Sequence, residues 1–249
     1  MNPIIVIPTR MASTRLPGKP LAGIGGEPMI RRVVRRALAA ELGPVVVAAA
    51  ETEIAEAVAQ PGVRVVLTDP ALPSGSDRVH AAVEAVDAAG LHDVVVNLQG
   101  DLPLFPPDDL RRVLLPLERG EYDLATLVAR VTEEREIAAS SVVKAACAFT
   151  EGDDVARALY FSRIAVPWGE GPLWHHIGVY GWRRAALRRF VSLPPSPLEL
   201  RESLEQLRAL EAGMAVGCAA IARAPLGVDT PEDLERVRAV VALTEKDVP

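Results

Sequence analysis

Three cations, Arg10, Arg15 and Lys19, fall in the stretch TRMASTRLPGKP (9–20), and no acidic residue precedes Glu27. Ala12, Ser13, Thr14 and Gly18 lie among them, small enough to let backbone amides approach an anion closely. A second stretch, Gln99-Gly100-Asp101-Leu102-Pro103, places one carboxylate directly after an apolar run. Lysine and arginine on phosphate oxygens, with a carboxylate on a divalent cation, is the set that a chelated polyphosphate requires. Nucleotidyl transfer is an in-line attack at phosphorus, where alignment and charge stabilisation supply most of the catalysis. The plainer readings of the same residues are a solvated basic loop and a lone acid at a strand end. Lys19 is followed by Pro20, so the loop is not a Walker A motif, which needs Gly-Lys-Ser/Thr. The later GIGG (23–26) follows no convincing strand and is not a dinucleotide fingerprint.

The elements that must position these residues read as alternating short apolar runs and longer amphipathic ones. PIIVIP (3–8), PVVVAAA (44–50), VRVVLT (63–68) and DVVVNLQ (93–99) predict strands buried on both faces, as in a parallel sheet covered by helices. Helices are predicted over 28–42, 52–60 and 76–90. The expected fold is therefore α/β, a doubly wound, mostly parallel Rossmann-like sheet. In such sheets ligands sit beyond the carboxyl ends of the strands, which is where both chemical stretches fall.

After about residue 120 the rhythm changes. DLATLVARV (123–131) and VVKAACAF (142–149) predict strands with fewer helices between them. Eight of the ten aromatic residues fall between Phe149 and Trp182 or at Phe190, which implies a smaller aromatic-rich subdomain lining a pocket or an oligomer interface. PPSPLELRESLEQLRALEAG (194–213) reads as a proline-terminated turn and one long amphipathic helix ending at Gly213. The last helix, within 227–243, is expected to take Thr230 as its N-cap and Pro231 at its first position. The domain reading is one domain over 1–249 in three parts. The parts are 1–120, about 121–215, and 216–249 as a C-terminal strand and helix.

Composition narrows the class. A net charge of −6 argues against a general nucleic-acid binder, which needs a broad basic face. Cys147 and Cys218 lie in apolar surroundings without metal-ligand spacing, and read as buried free thiols in a reducing cytosol. No apolar stretch reaches the ~18–20 residues that span a bilayer. PIIVIP is too short for a signal peptide, so a cytoplasmic protein without a membrane partner is expected.

RMASTRLPGKPL (10–21) resembles the signature loop of sugar-activating nucleotidyltransferases that make CMP-linked acids. More narrowly, it is similar to the 3-deoxy-manno-octulosonate cytidylyltransferase (CMP-Kdo synthetase) family. The likeness continues through SGSDR (74–78), NLQGD (97–101), ALYFSRIAVPW (158–168), HIGVYGWR (176–183), PSPLE (195–199), LEQLR (204–208) and GVDTPEDLERVR (227–238). Each motif alone is modestly specific, whereas seven in the right order are highly specific. The resemblance implies CTP and Kdo as substrates, Mg²⁺ as cofactor and a homodimer. It makes 1–120 the nucleotide-binding part, about 121–215 the sugar-binding and dimerisation part, and 216–249 the strand and helix that return to the active site. It places Arg10, Arg15 and Lys19 on the triphosphate, with Arg10, Lys19 and Asp101 acting in the chemistry. Ser13 belongs to the same loop, and Ser74, Gly75, Arg78 and Gln99 would face the nucleotide. Asp101 and Asp229 would hold Mg²⁺. Arg163, His176, Tyr180, Glu205 and Gln206 would bind the acid sugar, whose carboxylate and hydroxyls suit an arginine with neutral donors and an acceptor. His175 is expected to face away from His176.

Two positions depart from the family pattern. Leu102 stands where an acid is usual, so the metal cannot lean on a second adjacent carboxylate. The approach to Lys144, SSVV, lacks the family's asparagines, and Lys144 receives no role. The competing readings are a cytidylyltransferase for a related ulosonic acid such as an 8-amino Kdo analogue, another enzyme on a similar sheet, and a non-catalytic nucleotide-binding regulator.

Overall fold

A computed structural model describes residues 1–244; the end of the expected C-terminal part, 245–249, lies outside the described residues. The strands are β1 (Pro3–Thr9), β2 (Gly23–Ile24), β3 (Glu27–Pro28), β4 (Val45–Ala49), β5 (Val63–Leu67), β6 (Val94–Asn97), β7 (Leu124–Arg130), β8 (Lys144–Cys147), β9 (Val155–Ser162), β10 (Trp174–Arg183) and β11 (Val216–Ile221). The chain divides into two units. The first holds residues 2–92, 97–110 and the C-terminal stretch from 225. The second holds Met1, 93–96 and 111–224.

In the first unit β5, β4 and β1 lie side by side and parallel, with Ile5 opposite Val45 and Val45 opposite Val63. Ile4 to Ile7 and Val46 to Ala49 are fully buried, which the continuous β-branched and alanine runs require of strands covered on both faces. Helices Met29–Ala39, Thr52–Val58 and Gly75–Val86 fill the connections. GIGG supplies β2 and the turn into β3. Beside it, Ile24, Met29, Val228, Leu234, Val237 and Val241 form a core that Leu16 and Leu104 pack against. One apolar cluster thus anchors the cationic loop through Leu16 and the helix Pro231–Thr244 behind Asp229.

The second unit is a mixed sheet in the order β6-β10-β7-β11-β9-β8. β11 runs parallel to β7, while β10 runs antiparallel to β7 and β9 antiparallel to β11 and β8. The structure is therefore a mixed α/β fold in which the parallel pairs of the first unit contrast with the largely antiparallel second. Aromatic residues fill the latter: Trp182 stacks 4.8 Å from Phe190, and Arg208 lies 4.6 Å above the Phe190 ring. Both cysteines are free and buried. The long helix expected over 194–213 is instead two short ones, Pro197–Glu202 and Leu207–Glu211, because Ser203 turns left-handed between them. Among the described residues no helix is long and apolar enough to cross a membrane.

Candidate functional site

The loop after β1 is folded by its own small residues. Ser13 Oγ accepts from the Leu16 amide at 3.3 Å, and the Gly18 amide donates back to the Met11 carbonyl. Gly18 sits at φ 71°, a left-handed turn that a side chain would strain. That turn delivers Lys19, whose ammonium donates to Asp101 Oδ2 at 2.8 Å, the Val228 carbonyl at 2.9 Å and Asp229 Oδ1 at 3.2 Å. Arg15 reaches the same Asp229 oxygen at 3.1 Å. Burial works against the charge on Lys19, but Asp101 and then Asp229 outweigh it and hold the pKa above the ordinary lysine value. Thr230 caps the last helix as expected, its hydroxyl accepting from the Asp233 amide, so the Asp229 carboxylate is left to the cations.

Glu51, two residues beyond β4 and just ahead of the helix Thr52–Val58, fixes the loop's start by accepting from the Met11 amide at 2.9 Å. Ser74 caps the helix Gly75–Val86 through the Asp77 amide. Arg78, on the first turn of that helix, is almost wholly buried; its Nη1 binds the Thr68 hydroxyl and the Asp69 carbonyl. Its Nη2 has no hydrogen-bond partner among the described residues. Burial and the nearby Arg10 guanidinium lower its pKa from the usual arginine value. Gln99 donates its amide to Asn97 at 3.1 Å.

These residues surround one cleft of about 680 Å³, a volume suited to a nucleotide. Arg10, Ser13, Arg15, Lys19, Ser74, Gly75, Arg78, Gln99, Asp101 and Asp229 all line it. Four of them are cations and two are carboxylates, so an anionic ligand meets an excess of positive charge. No cluster of three or more His, Cys, Asp or Glu side chains suited to a metal occurs among the described residues. Asp101 and Asp229 nonetheless converge on one ammonium, which stands where two carboxylates can share a cation. Such a pair fits a divalent ion that draws its remaining ligands from phosphate and water.

In the second unit, β10 carries a bulge between Ile177 and Tyr180, facing Leu127 and Thr126 of β7. The bulge puts His176 and Tyr180 together, their rings 5.6 Å apart. Phe161 meets the His176 ring edge-on at 4.8 Å. His176 Nε2 lies 3.0 Å from Thr126 Oγ1, and Nδ1 lies 3.4 Å from Gln206 Nε2. Burial, and then His175, push the His176 pKa down to about 3. Burial, and then Glu205, push the Tyr180 phenol up. His175 instead neighbours Lys144, which burial drives below the ordinary lysine pKa and which donates to the Ala139 carbonyl. Arg163 spends three donors on the carbonyls of Glu202, Ser140 and Ser203. Four of the five residues expected to hold the sugar, His176, Tyr180, Glu205 and Gln206, therefore gather in one cluster, while Arg163 braces the adjoining loops. Sequence reasoning missed Thr126, Thr68 and Glu51. For Thr126 a signal existed: it is the lone hydroxyl in the otherwise apolar LATLVA run.

An α/β scaffold with a cationic loop after its first strand, and two carboxylates from distant segments meeting at that loop's lysine, defines a nucleotidyltransferase. The chain belongs to the cytidylyltransferase family, whose model matches residues 4–216. It is 61% identical over 241 residues to the 3-deoxy-manno-octulosonate cytidylyltransferase of Parvibaculum lavamentivorans, spanning 97% of this chain and 93% of that one. The enzyme of the same name from Rhodospirillum centenum is 58% identical over 240 residues, with 96% and 93% covered. Among solved structures, a CMP:2-keto-3-deoxy-manno-octonic acid synthetase complexed with CTP superposes with a TM-score of 0.88 at 36% identity. That match covers 98% of this chain and all of the other.

Proposed function

We propose that this chain transfers the cytidylyl group of CTP to Kdo, giving CMP-Kdo and diphosphate, and so supplies activated sugar for lipopolysaccharide assembly. The observation that carries this reading is the Lys19 ammonium held between Asp101 and Asp229, in a cleft where cations outnumber acids. The anomeric hydroxyl of Kdo attacks the α-phosphorus, a new P–O bond forms, and the bond to the β-phosphate oxygen breaks. Arg10, Arg15 and Lys19 hold the triphosphate and stabilise the charge that collects on departing diphosphate. Ser13, Ser74, Gly75 and Gln99 line the nucleotide, and the unpartnered Arg78 Nη2 is a donor for one of its oxygens. Asp101 and Asp229 would hold Mg²⁺, which when bound lowers the pKa of the attacking hydroxyl and neutralises phosphate charge. In the second unit Tyr180 and Gln206 offer neutral donors, Glu205 an acceptor, and Arg163 its two remaining N–H groups to the acid sugar. His176, with both ring nitrogens committed, orients rather than contacts.

The same reading includes a homodimer formed through the second unit, supported by Leu159, Ile164, Trp168 and Leu200, large apolar side chains left exposed there. It also includes a cytoplasmic location and no nucleic-acid or membrane partner. Diphosphate release tests the activity, with each nucleoside triphosphate supplied with and without Kdo and with an 8-amino analogue. Release with CTP only when Kdo is present is the expected result. The absence of release with every sugar acid supplied would overturn it in favour of a nucleotide-binding regulator.

A further inference from the structure

One hydroxyl in the second unit serves three polar groups. Thr126 Oγ1 lies 3.0 Å from His176 Nε2 and 2.9 Å from both the Ile177 and Val179 carbonyl oxygens. Those carbonyls belong to the β10 bulge, where the ladder with β7 is broken and backbone groups need another partner. A carbonyl oxygen only accepts, so the single hydroxyl proton must point at the bulge. The hydroxyl oxygen then turns a lone pair toward His176, and Nε2 has to carry hydrogen. Were Nε2 bare, three acceptors would crowd one proton in a fully buried position, at the cost of an unmet polar group. With hydrogen on Nε2, Nδ1 is an acceptor, and Gln206 must present its NH₂ to it. The amide oxygen of Gln206 is thereby turned away from the ring.

We propose that Thr126 is a positioning residue for the sugar-acid subsite: it fixes the Nε2–H tautomer of His176, and through that ring the orientation of the Gln206 amide. This rests on the reading of the His176–Gln206 cluster as the place where the sugar acid binds. Phe161 and Tyr180 both pack against the imidazole, at 4.8 Å and 5.6 Å between ring centres, which leaves tautomer and amide direction as the settings to specify.

The test uses the full chain labelled with ¹⁵N-histidine, whose four imidazoles are separable, with His176 assigned by its loss in His176→Gln. Long-range ¹H–¹⁵N correlation reads which ring nitrogen is protonated. Wild type is expected to show Nε2–H at His176. Thr126→Val, similar in shape but without the hydroxyl, is expected to move hydrogen toward Nδ1 and raise KM for Kdo about tenfold with KM for CTP unchanged, the loss of one hydrogen-bond contribution. Thr126→Ser is expected to restore both. Nδ1–H in wild type overturns the proposal, and so does a valine variant that keeps wild-type tautomer and KM. If the valine variant does not fold, the wild-type tautomer and the serine variant still decide. A tautomer that shifts as expected while KM for Kdo stays fixed overturns the subsite reading and the positioning role with it.

Discussion

Between pH 7 and pH 5 an ordinary imidazole, with a pKa of about 6.5, becomes mostly protonated. His176 resists, because burial and its neighbour His175 hold its pKa at about 3. Protonation there requires Gln206 to turn its donor away from Nδ1 and a charge to sit beside Phe161 and Tyr180. The unfolded chain therefore binds a proton in this window that the folded chain refuses, and stability must rise with pH. The contribution is complete above pH 6.5 and falls as pH drops toward 3. At ~1.4 kcal/mol per pH unit below 6.5, His176 alone removes about 2 kcal/mol between pH 7 and pH 5. His175, which burial and then Lys144 push to about 4, adds a loss of the same sign. Asp153, held at about 2 by Arg119, acts with the same sign only below the unfolded carboxylate pKa, outside this window. Urea unfolding followed by tryptophan fluorescence reads the effect, since Trp182 lies 6.1 Å from Tyr180. Wild type should lose stability from pH 7 to 5, and His176→Gln should lose about 2 kcal/mol less over the same interval. Parallel pH profiles for the two proteins would refute the argument and place His176 in contact with solvent or with a stabilising anion.

Asp101→Asn should lower diphosphate release by about a hundredfold or more while moving KM for CTP only a few-fold, as expected for a group that acts through a metal on the transition state; turnover preserved within a few-fold would remove Asp101 from the metal site. Lys19→Met should raise KM for CTP by about tenfold. It should also tighten Mn²⁺ binding in the absence of nucleotide, read by paramagnetic resonance, because the ammonium no longer competes for Asp101 and Asp229; unchanged Mn²⁺ affinity would mean the carboxylates do not share a cation site. Gly217→Ala places a Cβ 2.4 Å from Pro116 Cβ and 2.9 Å from Tyr122 Cγ. The overpacking should cost about 1–3 kcal/mol, lowering the urea midpoint; an unshifted midpoint would mean that β11 is not pressed against these side chains.

The cleft behind the cationic loop was legible because its lining lies in residue types directly after buried strands. β1, β4 and β5 declare themselves by unbroken β-branched runs, and a parallel strand's end is where a ligand loop falls. Arg10, Arg15 and Lys19 needed only that address, and Thr230 as a cap freed Asp229 for the same reason that any N-cap is readable. What periodicity could not show is where tertiary contacts overrule it. The segment 194–213 keeps helical spacing throughout, yet it breaks at Ser203. Arg163 binds the Glu202 carbonyl at 2.6 Å and the Ser203 carbonyl at 3.1 Å, two acceptors that a continuous helix would have needed for its own ladder. The Glu202 carboxylate answers by accepting from the Ser162 hydroxyl and the Arg163 amide. The break in turn separates Gln206 from the first helix and starts the second beside His176, where Arg208 is held by its buried pairing with Glu199. Arg163, one of five residues that the family resemblance places on the sugar, thus also takes the carbonyls at which the helix breaks, and the direction of Gln206 depends on a bulge and a threonine that no periodic pattern encodes.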